Sequence, residues 1–199
     1  MRRTRNSDVE LTGTMVRLRA VTEHDLAKLV EWDEDEEISR WAGKKFTCRA
    51  EAREWYLEKP PANKRTFAVE TLDGKFIGEV EILNISWRLH TGELRVVIGE
   101  KEYWNQGIGT DTVLTFARWV FETYSIETIY LRVEKENFRA RRCYAKVGFK
   151  PIGRLRFSPE RNVSGVGVSA QLILMKITKN ELCTELFDYC PGVKSSCIG

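Results

Sequence analysis

Gly107 and Gly109 stand where an apolar stretch gives way to a helical pattern. Residues 93–110 read Glu-Leu-Arg-Val-Val-Ile-Gly-Glu-Lys-Glu-Tyr-Trp-Asn-Gln-Gly-Ile-Gly-Thr. This is a strand, a polar turn and a glycine-marked helix entry. Val113, Phe116, Ala117, Val120, Phe121 and Tyr124 then recur at three- and four-residue spacing and predict the helix itself. The first turn of such a helix has backbone N–H groups without an internal partner, and the helix dipole adds positive potential there. Glycines at this mouth remove the Cβ atoms that would keep a ligand's oxygens away. The combination is an anion cradle, suited above all to phosphate. A dinucleotide fingerprint would need a third glycine where Thr112 stands, and no Gly-Lys-Ser/Thr occurs for a nucleoside-triphosphate loop. A helix that merely begins with glycines is the competing reading.

A second candidate is the acidic run Asp33, Glu34, Asp35, Glu36, Glu37, which either attracts a cation or lies solvated at a helix end. Five cysteines, Cys48, Cys143, Cys183, Cys190 and Cys197, are accompanied by only His24 and His90 and form no CxxC pair. No metal is expected from them, and a disulfide framework is not expected in a cytoplasmic chain of this length.

The elements that must position these residues fit into 199 residues, one domain or one domain with a tail. Hydrophobic residues make up 42%, enough for a full core, and the net charge of +3 does not argue for nucleic acid or membrane. The basic start has no apolar stretch behind it, and the longest apolar runs are strand-sized, so the expected location is the cytoplasm.

Residues 15–21 alternate and predict a first strand. Thr22 reads as the N-cap of a helix carrying Leu26, Leu29 and Val30, and Thr47 as the cap of a second helix running to about Lys59, before Pro60-Pro61. Residues 65–70 and 76–85 read as strands about an Asp73-Gly74 turn, followed by the strand of residues 93–98. After the long helix come a strand at residues 128–133 and a short helix capped by Asn137 and ended by Gly148. Two final strands cover residues 149–157 and 170–178, with a loop between them, and residues 181–189 read as a short helix. The order predicts an α+β layered fold, a mixed, mostly antiparallel sheet of about seven strands flanked by helices. The domain spans residues 13–179, with a lead-in at 1–12 and a tail at 180–199. Trp32, Trp41, Trp55 and Trp87 either line a cleft or pack.

The chain resembles the GNAT superfamily of acetyl-CoA-dependent N-acetyltransferases over residues 16–179. Trp104-Asn-Gln-Gly-Ile-Gly-Thr matches the family's Arg/Gln-x-x-Gly-x-Gly/Ala pyrophosphate loop, except that Trp104 replaces the first residue. Asn137-Phe-Arg-Ala-Arg-Arg-Cys-Tyr-Ala-Lys-Val-Gly-Phe matches Asn-x-x-Ser/Ala…Tyr-x-x-x-Gly-Phe. Leu18-Arg-Ala-Val-Thr-Glu-His-Asp-Leu and Glu31-Trp-Asp-Glu-Asp-Glu-Glu-Ile-Ser-Arg-Trp are similar to the opening of the ribosomal-protein N-terminal acetyltransferase branch, which also holds polyamine and drug acetyltransferases.

The resemblance implies an enzyme moving an acetyl group from acetyl-CoA to a primary amine (a peptide N-terminus, a polyamine or an aminoglycoside-like molecule) by direct attack in a ternary complex. The alternative is a non-catalytic acyl-CoA-binding or sensor domain on the same fold. It implies that Val96, Val97 and Ile98 pair with the pantetheine as an added strand. Asn105, Gln106, Gly107, Ile108, Gly109 and Thr110 would cradle the pyrophosphate. Asn137, besides capping its helix, would contact the pantetheine. Arg142, with Arg139 and Arg141 nearby, would meet CoA phosphates or form a solvated basic face. Tyr144 would be the general acid, although its spacing alone reads as core. Glu93 is either the base that takes the amine's proton or an edge charge. Asp33, Glu36 and Trp41 would contact the acceptor. The expected partners are the amine alone, with no nucleic acid and no membrane, and the expected state is a monomer or homodimer.

Overall fold

Within residues 76–86, Phe-Ile-Gly-Glu-Val-Glu-Ile-Leu-Asn-Ile-Ser, the acidic Glu79 and Glu81 alternate with apolar neighbours, yet every residue from 77 to 82 is buried. A strand whose charged side is also covered must lie in the middle of a sheet with both faces packed. In the computed structural model, which describes residues 9–42, 46–58, 61–157 and 170–182, this is the case. The strands are β1 (Leu11–Thr12), β2 (Val16–Arg19), β3 (Arg65–Thr71), β4 (Phe76–Ser86), β5 (Thr91–Ile98), β6 (Thr128–Glu134), β7 (Lys150–Phe157) and β8 (Ala170–Thr178). The helices are α1 (Leu26–Glu34), α2 (Glu36–Ala42), α3 (Arg49–Arg53), α4 (Ile108–Thr123) and α5 (Phe138–Val147), and α3 runs on into a π turn, Glu54–Glu58.

The strands form one sheet of eight in the order β1-β2-β3-β4-β5-β6-β8-β7. All neighbours are antiparallel except β5 and β6. The mixed, mostly antiparallel sheet is the expected fold. Its extra strand is β1, only two residues long, where a lead-in was expected; Leu11 is tied there by pairing with Leu18.

One face of the sheet packs on α4 and α5 through Phe67, Val80, Ile82, Leu94, Phe116 and Ile129. The opposite face is covered by a second cluster that includes Leu26, Leu29, Trp32, Ile38, Phe46 and Tyr56. The consequential feature is a split. β5 and β6 pair only at Thr91↔Thr128, Gly92↔Ile129 and Glu93↔Tyr130, although both strands continue. Beyond Glu93 the edge of β5 facing β6 has no ladder partner.

Asp111, in the first turn of α4, fastens the loop between β1 and β2. Its carboxylate accepts the N–H groups of Thr14, Met15 and Val16 at 3.1, 2.8 and 3.1 Å. Gly13 is required beside it, since a Cβ there would lie 2.5 Å from Asp111 Oδ2.

Two helix starts differ from expectation. α1 has Asp25, not Thr22, at its N-cap, because Thr22 donates its N–H and hydroxyl to Asp25 Oδ2 at 2.7 and 2.9 Å. α3 has Cys48 at its N-cap, and Thr47 instead gives its N–H and hydroxyl to Glu51 Oε2 at 2.8 and 2.9 Å. The expected helix over residues 181–189 lies almost wholly outside the described residues, which end in a 3-10 turn at Lys179–Glu181. Cys183, Cys190 and Cys197 also lie outside them.

Candidate donor and acceptor sites

The split opens on a cavity of about 280 Å³. Its floor is β5, through Val96, Val97 and Ile98. Its far end is the mouth of α4, where Asn105, Gly107, Gly109 and Thr110 line it. Its wall is α5, through Asn137, Arg139, Arg142, Tyr144 and Lys146. The structure therefore brings together most of the residues expected to hold a phosphate-bearing ligand. Gln106 and Ile108 are in the same turn but point elsewhere. Gln106 donates to the Glu102 carbonyl, and Ile108 is buried in the core at 4% exposure, so each has only its backbone to offer the cavity.

The two glycines serve different ends. Gly107 is the N-cap of α4 with φ of 91°, a left-handed conformation that an L side chain adopts only with strain. Gly109 has ordinary helical geometry, and a Cβ there would come no nearer than 3.5 Å to Cys143 Sγ. The protein's own packing therefore does not demand glycine at 109. What a side chain would fill is the cavity, in front of the first-turn amides. A mouth kept open, free first-turn N–H groups and basic side chains on the wall fit a phosphate-bearing donor.

Tyr144 is 7% exposed and lines the cavity. Burial, with a smaller contribution from Cys143, pushes its phenol well above the ordinary value of 10.0. It is thus a proton donor at neutral pH and not a base. Its neighbour Cys143 is the cavity's thiol, and burial raises its pKa too, only partly offset by Thr110 and Lys146. A protonated thiol is a poor nucleophile. Asn137 caps α5, its Oδ1 accepting from Ala140 N at 3.1 Å, and also lines the cavity.

Glu93 lies at the root of the split and outside the cavity wall. It is 7% exposed, accepts from Arg132 Nε at 2.7 Å and from Asn84 Nδ2 at 2.9 Å. Asn84 sits at a register shift of β4 with a φ of 51°, which turns its amide toward β5.

The acidic run does not act as a unit. Asp33 is buried and accepts from Phe46 N at 2.9 Å. Asp35 and Glu37 both hold Lys101 Nζ, at 2.8 and 2.9 Å. Glu36 is exposed at the start of α2, while Trp41 falls in α2 with its side chain outside the described residues. Ile38 from α2 reaches the cavity. Trp32 packs, its indole N–H on Glu100 at 3.1 Å, and Trp55 and Trp87 are partly exposed.

Sequence reasoning missed the polar layer on the α1–α3 side of the sheet. Glu79 and Glu81 project there from β4, 3% and 1% exposed. Glu79 accepts the Tyr56 hydroxyl at 2.5 Å, and Glu81 takes Thr66 Oγ1 at 3.1 Å beside Arg95 and Lys64. The signal was present: two acids two residues apart in an otherwise apolar strand share a face.

The acetyltransferase (GNAT) domain family model matches residues 16–150. Among curated proteins, spermidine N(1)-acetyltransferase of Escherichia coli (strain K12) is 28% identical, the match covering 70% of this chain and 75% of that one. Aminoglycoside N(6')-acetyltransferase type 1 of Klebsiella pneumoniae is 28% identical over 75% of this chain and 81% of that one. The N-acetyltransferase 9-like protein of Caenorhabditis elegans is 28% identical over 74% and 81%. Among solved structures, spermidine N-acetyltransferase from Vibrio cholerae in complex with CoA and spermine superposes with a TM-score of 0.75 at 23% identity. That match covers 84% of this chain and 98% of the other.

Proposed function

The chain belongs to the GNAT acetyltransferase family and is an N-acetyltransferase with acetyl-CoA as donor, and on that premise we propose how its residues divide the work. Acetyl-CoA, when bound, supplies a thioester carbonyl open to attack and a thiol as leaving group. The mouth of α4 holds the diphosphate through the backbone of residues 105–110. Val96, Val97 and Ile98 offer the pantetheine amides the unladdered edge of β5. Asn137 adds a contact from α5. Tyr144 gives its proton to the departing sulfur. Glu93 removes the amine's proton, directly or through a water at the root of the split.

The attack is direct, from a ternary complex. The thiol in the cavity is held protonated by burial, so this chain offers no activated cysteine there for an acyl-enzyme.

The acceptor is a primary amine, a polyamine, an aminoglycoside-like molecule or a peptide N-terminus, approaching on the α1–α3 side. The observation that carries this is register. Val97, in the cavity floor, is directly opposite Glu79 on β4. Paired residues share a face, so the buried carboxylates begin one strand away from the donor cavity. α2, which carries Glu36 and Trp41 in its backbone, flanks that approach, and Asp33 contributes by fixing Phe46. The relatives' names support a place in the ribosomal-protein N-terminal acetyltransferase-like branch, with its polyamine and drug acetyltransferases. The protein acts as a monomer or homodimer on a small-molecule or peptidyl amine, without nucleic acid or membrane.

The test is thiol release from acetyl-CoA across polyamines, aminoglycosides and short peptides. One amine class should stand out in kcat/KM, with intersecting double-reciprocal lines. Parallel lines would overturn direct attack.

A further inference from the structure

Arg139 sits over Trp104, its guanidinium carbon 3.5 Å from the ring centroid. Both line the donor cavity. Trp104 is itself anchored, donating its indole N–H to the Ile98 carbonyl at 2.7 Å. The two residues are 35 apart in sequence, so the stack joins the loop before α4 to the first turn of α5 across the cavity.

The charge on Arg139 has no carboxylate partner among the described residues. Burial lowers its pKa, and the field of Glu37 only partly offsets this. Lys101 approaches the same ring at 5.8 Å, but its ammonium is already engaged by Asp35 and Glu37. Arg141, one residue farther on α5 than Ala140, points away and donates to the Lys135 carbonyl. Arg139 is therefore a partly desolvated cation, stacked on an indole and without a carboxylate partner among the described residues, on the wall of a cavity whose end is an anion cradle. Holding a guanidinium in that state has a cost unless an anion arrives to pair with it. The loop meanwhile carries Trp104 where an Arg or Gln side chain would open the glycine motif.

We propose that Arg139 is the side chain that binds the donor's diphosphate, with Trp104 as the platform that orients it. The positive charge absent from the loop is supplied from α5, and the indole replaces it as a support. The proposal rests on the acetyl-CoA reading above. It makes Arg139 a donor-binding residue and Trp104 a positioning residue, and it gives neither a part in proton transfer.

Calorimetric binding of CoA, dephospho-CoA and pantetheine to the full chain tests this. Arg139→Ala should weaken CoA and dephospho-CoA alike, by about 10- to 100-fold, the usual scale for a lost charge-assisted hydrogen bond. Pantetheine, which has no diphosphate, should bind as to wild type. The loss should shrink as salt rises. Trp104→Leu should weaken the two diphosphate ligands less, and that part of its effect should vanish when Arg139 is already Ala. A loss confined to CoA would assign Arg139 to the 3′-phosphate and overturn the proposal. So would an unchanged affinity, or an equal loss for pantetheine. Failure of the wild-type chain to bind CoA at all would instead defeat the acetyl-CoA reading on which the proposal stands.

Discussion

Arg132 Nε donates to Glu93 Oε1 at 2.7 Å, at the last rung before β5 and β6 separate. The pair fixes a buried carboxylate at the root of the split, with the Asn84 amide on its other oxygen. If Glu93 takes the amine's proton, Glu93→Gln should lower kcat/KM by about 10²- to 10⁴-fold and abolish the acidic limb of the pH–rate profile. An unaltered profile would make Glu93 a structural charge that joins β4, β5 and β6.

Tyr144→Phe removes one oxygen from a buried ring that also packs on Phe149, 5.8 Å centroid to centroid. The ring packing survives, so stability should change little. Turnover should fall about a hundredfold, with acetyl-CoA affinity kept. Because burial holds the wild-type phenol above 10.0, it stays protonated across the working range. The wild-type profile should accordingly show no alkaline fall from this group below that pH. A near-wild-type rate for the phenylalanine variant would remove Tyr144 from the chemistry.

The two glycines should separate stability from binding. Gly107→Val forces a β-branched side chain into a φ of 91°, and should cost about 1–2 kcal/mol of stability as well as CoA affinity. Gly109→Asp meets no backbone obstacle, and should leave the melting temperature nearly unchanged. It places a carboxylate in front of the cradle, so calorimetric CoA binding should be lost. Equal affinity in the Gly109 variant would show that the diphosphate lies elsewhere.

Asp25 joins β2 to α1. It holds Arg19 through both oxygens, at 2.7 and 2.8 Å, and takes two bonds from Thr22. Burial alone would raise the carboxyl, but the Arg19 and Thr22 bonds outweigh it and leave the pKa below the ordinary 3.8. A carboxyl lowered by folding stabilises fully above its unfolded value and loses that contribution as pH falls through the folded one. Asp25→Asn should therefore destabilise by about 1–3 kcal/mol at pH 7, with the gap to wild type closing below pH 3.8 in denaturant titrations. A pH-independent gap would assign the loss to packing.

How much of this was legible depended on whether the information is local. The positions of Gly107, Gly109, Asn137 and Tyr144 at a helix start, an N-cap and a helical face were readable because each such signal lies within a dozen residues. The acidic run misled for the same reason, read as one patch. The helix turns each successive residue by about 100°. Asp33 accordingly points inward to Phe46, while Asp35 and Glu37 close on Lys101. Glu79 and Glu81 were not singled out in the sequence. They are buried because α1–α3 cover that face; their spacing puts both on one side of the strand but does not tell whether that side is covered. The stack of Arg139 on Trp104 could not be read at all, since it exists only once α5 docks beside the loop that precedes α4.

Intact-protein mass spectrometry under single-turnover conditions tests the central claim most directly. The full chain is mixed with acetyl-CoA in the presence and absence of the best amine from the panel. The expected result is an unmodified protein in both samples, with one N-acetylated amine formed for each CoA released, and only when the amine is present. Two results would contradict direct transfer from this cavity: an acetyl group on Cys143 before amine is added, or tight CoA binding with no product from any amine.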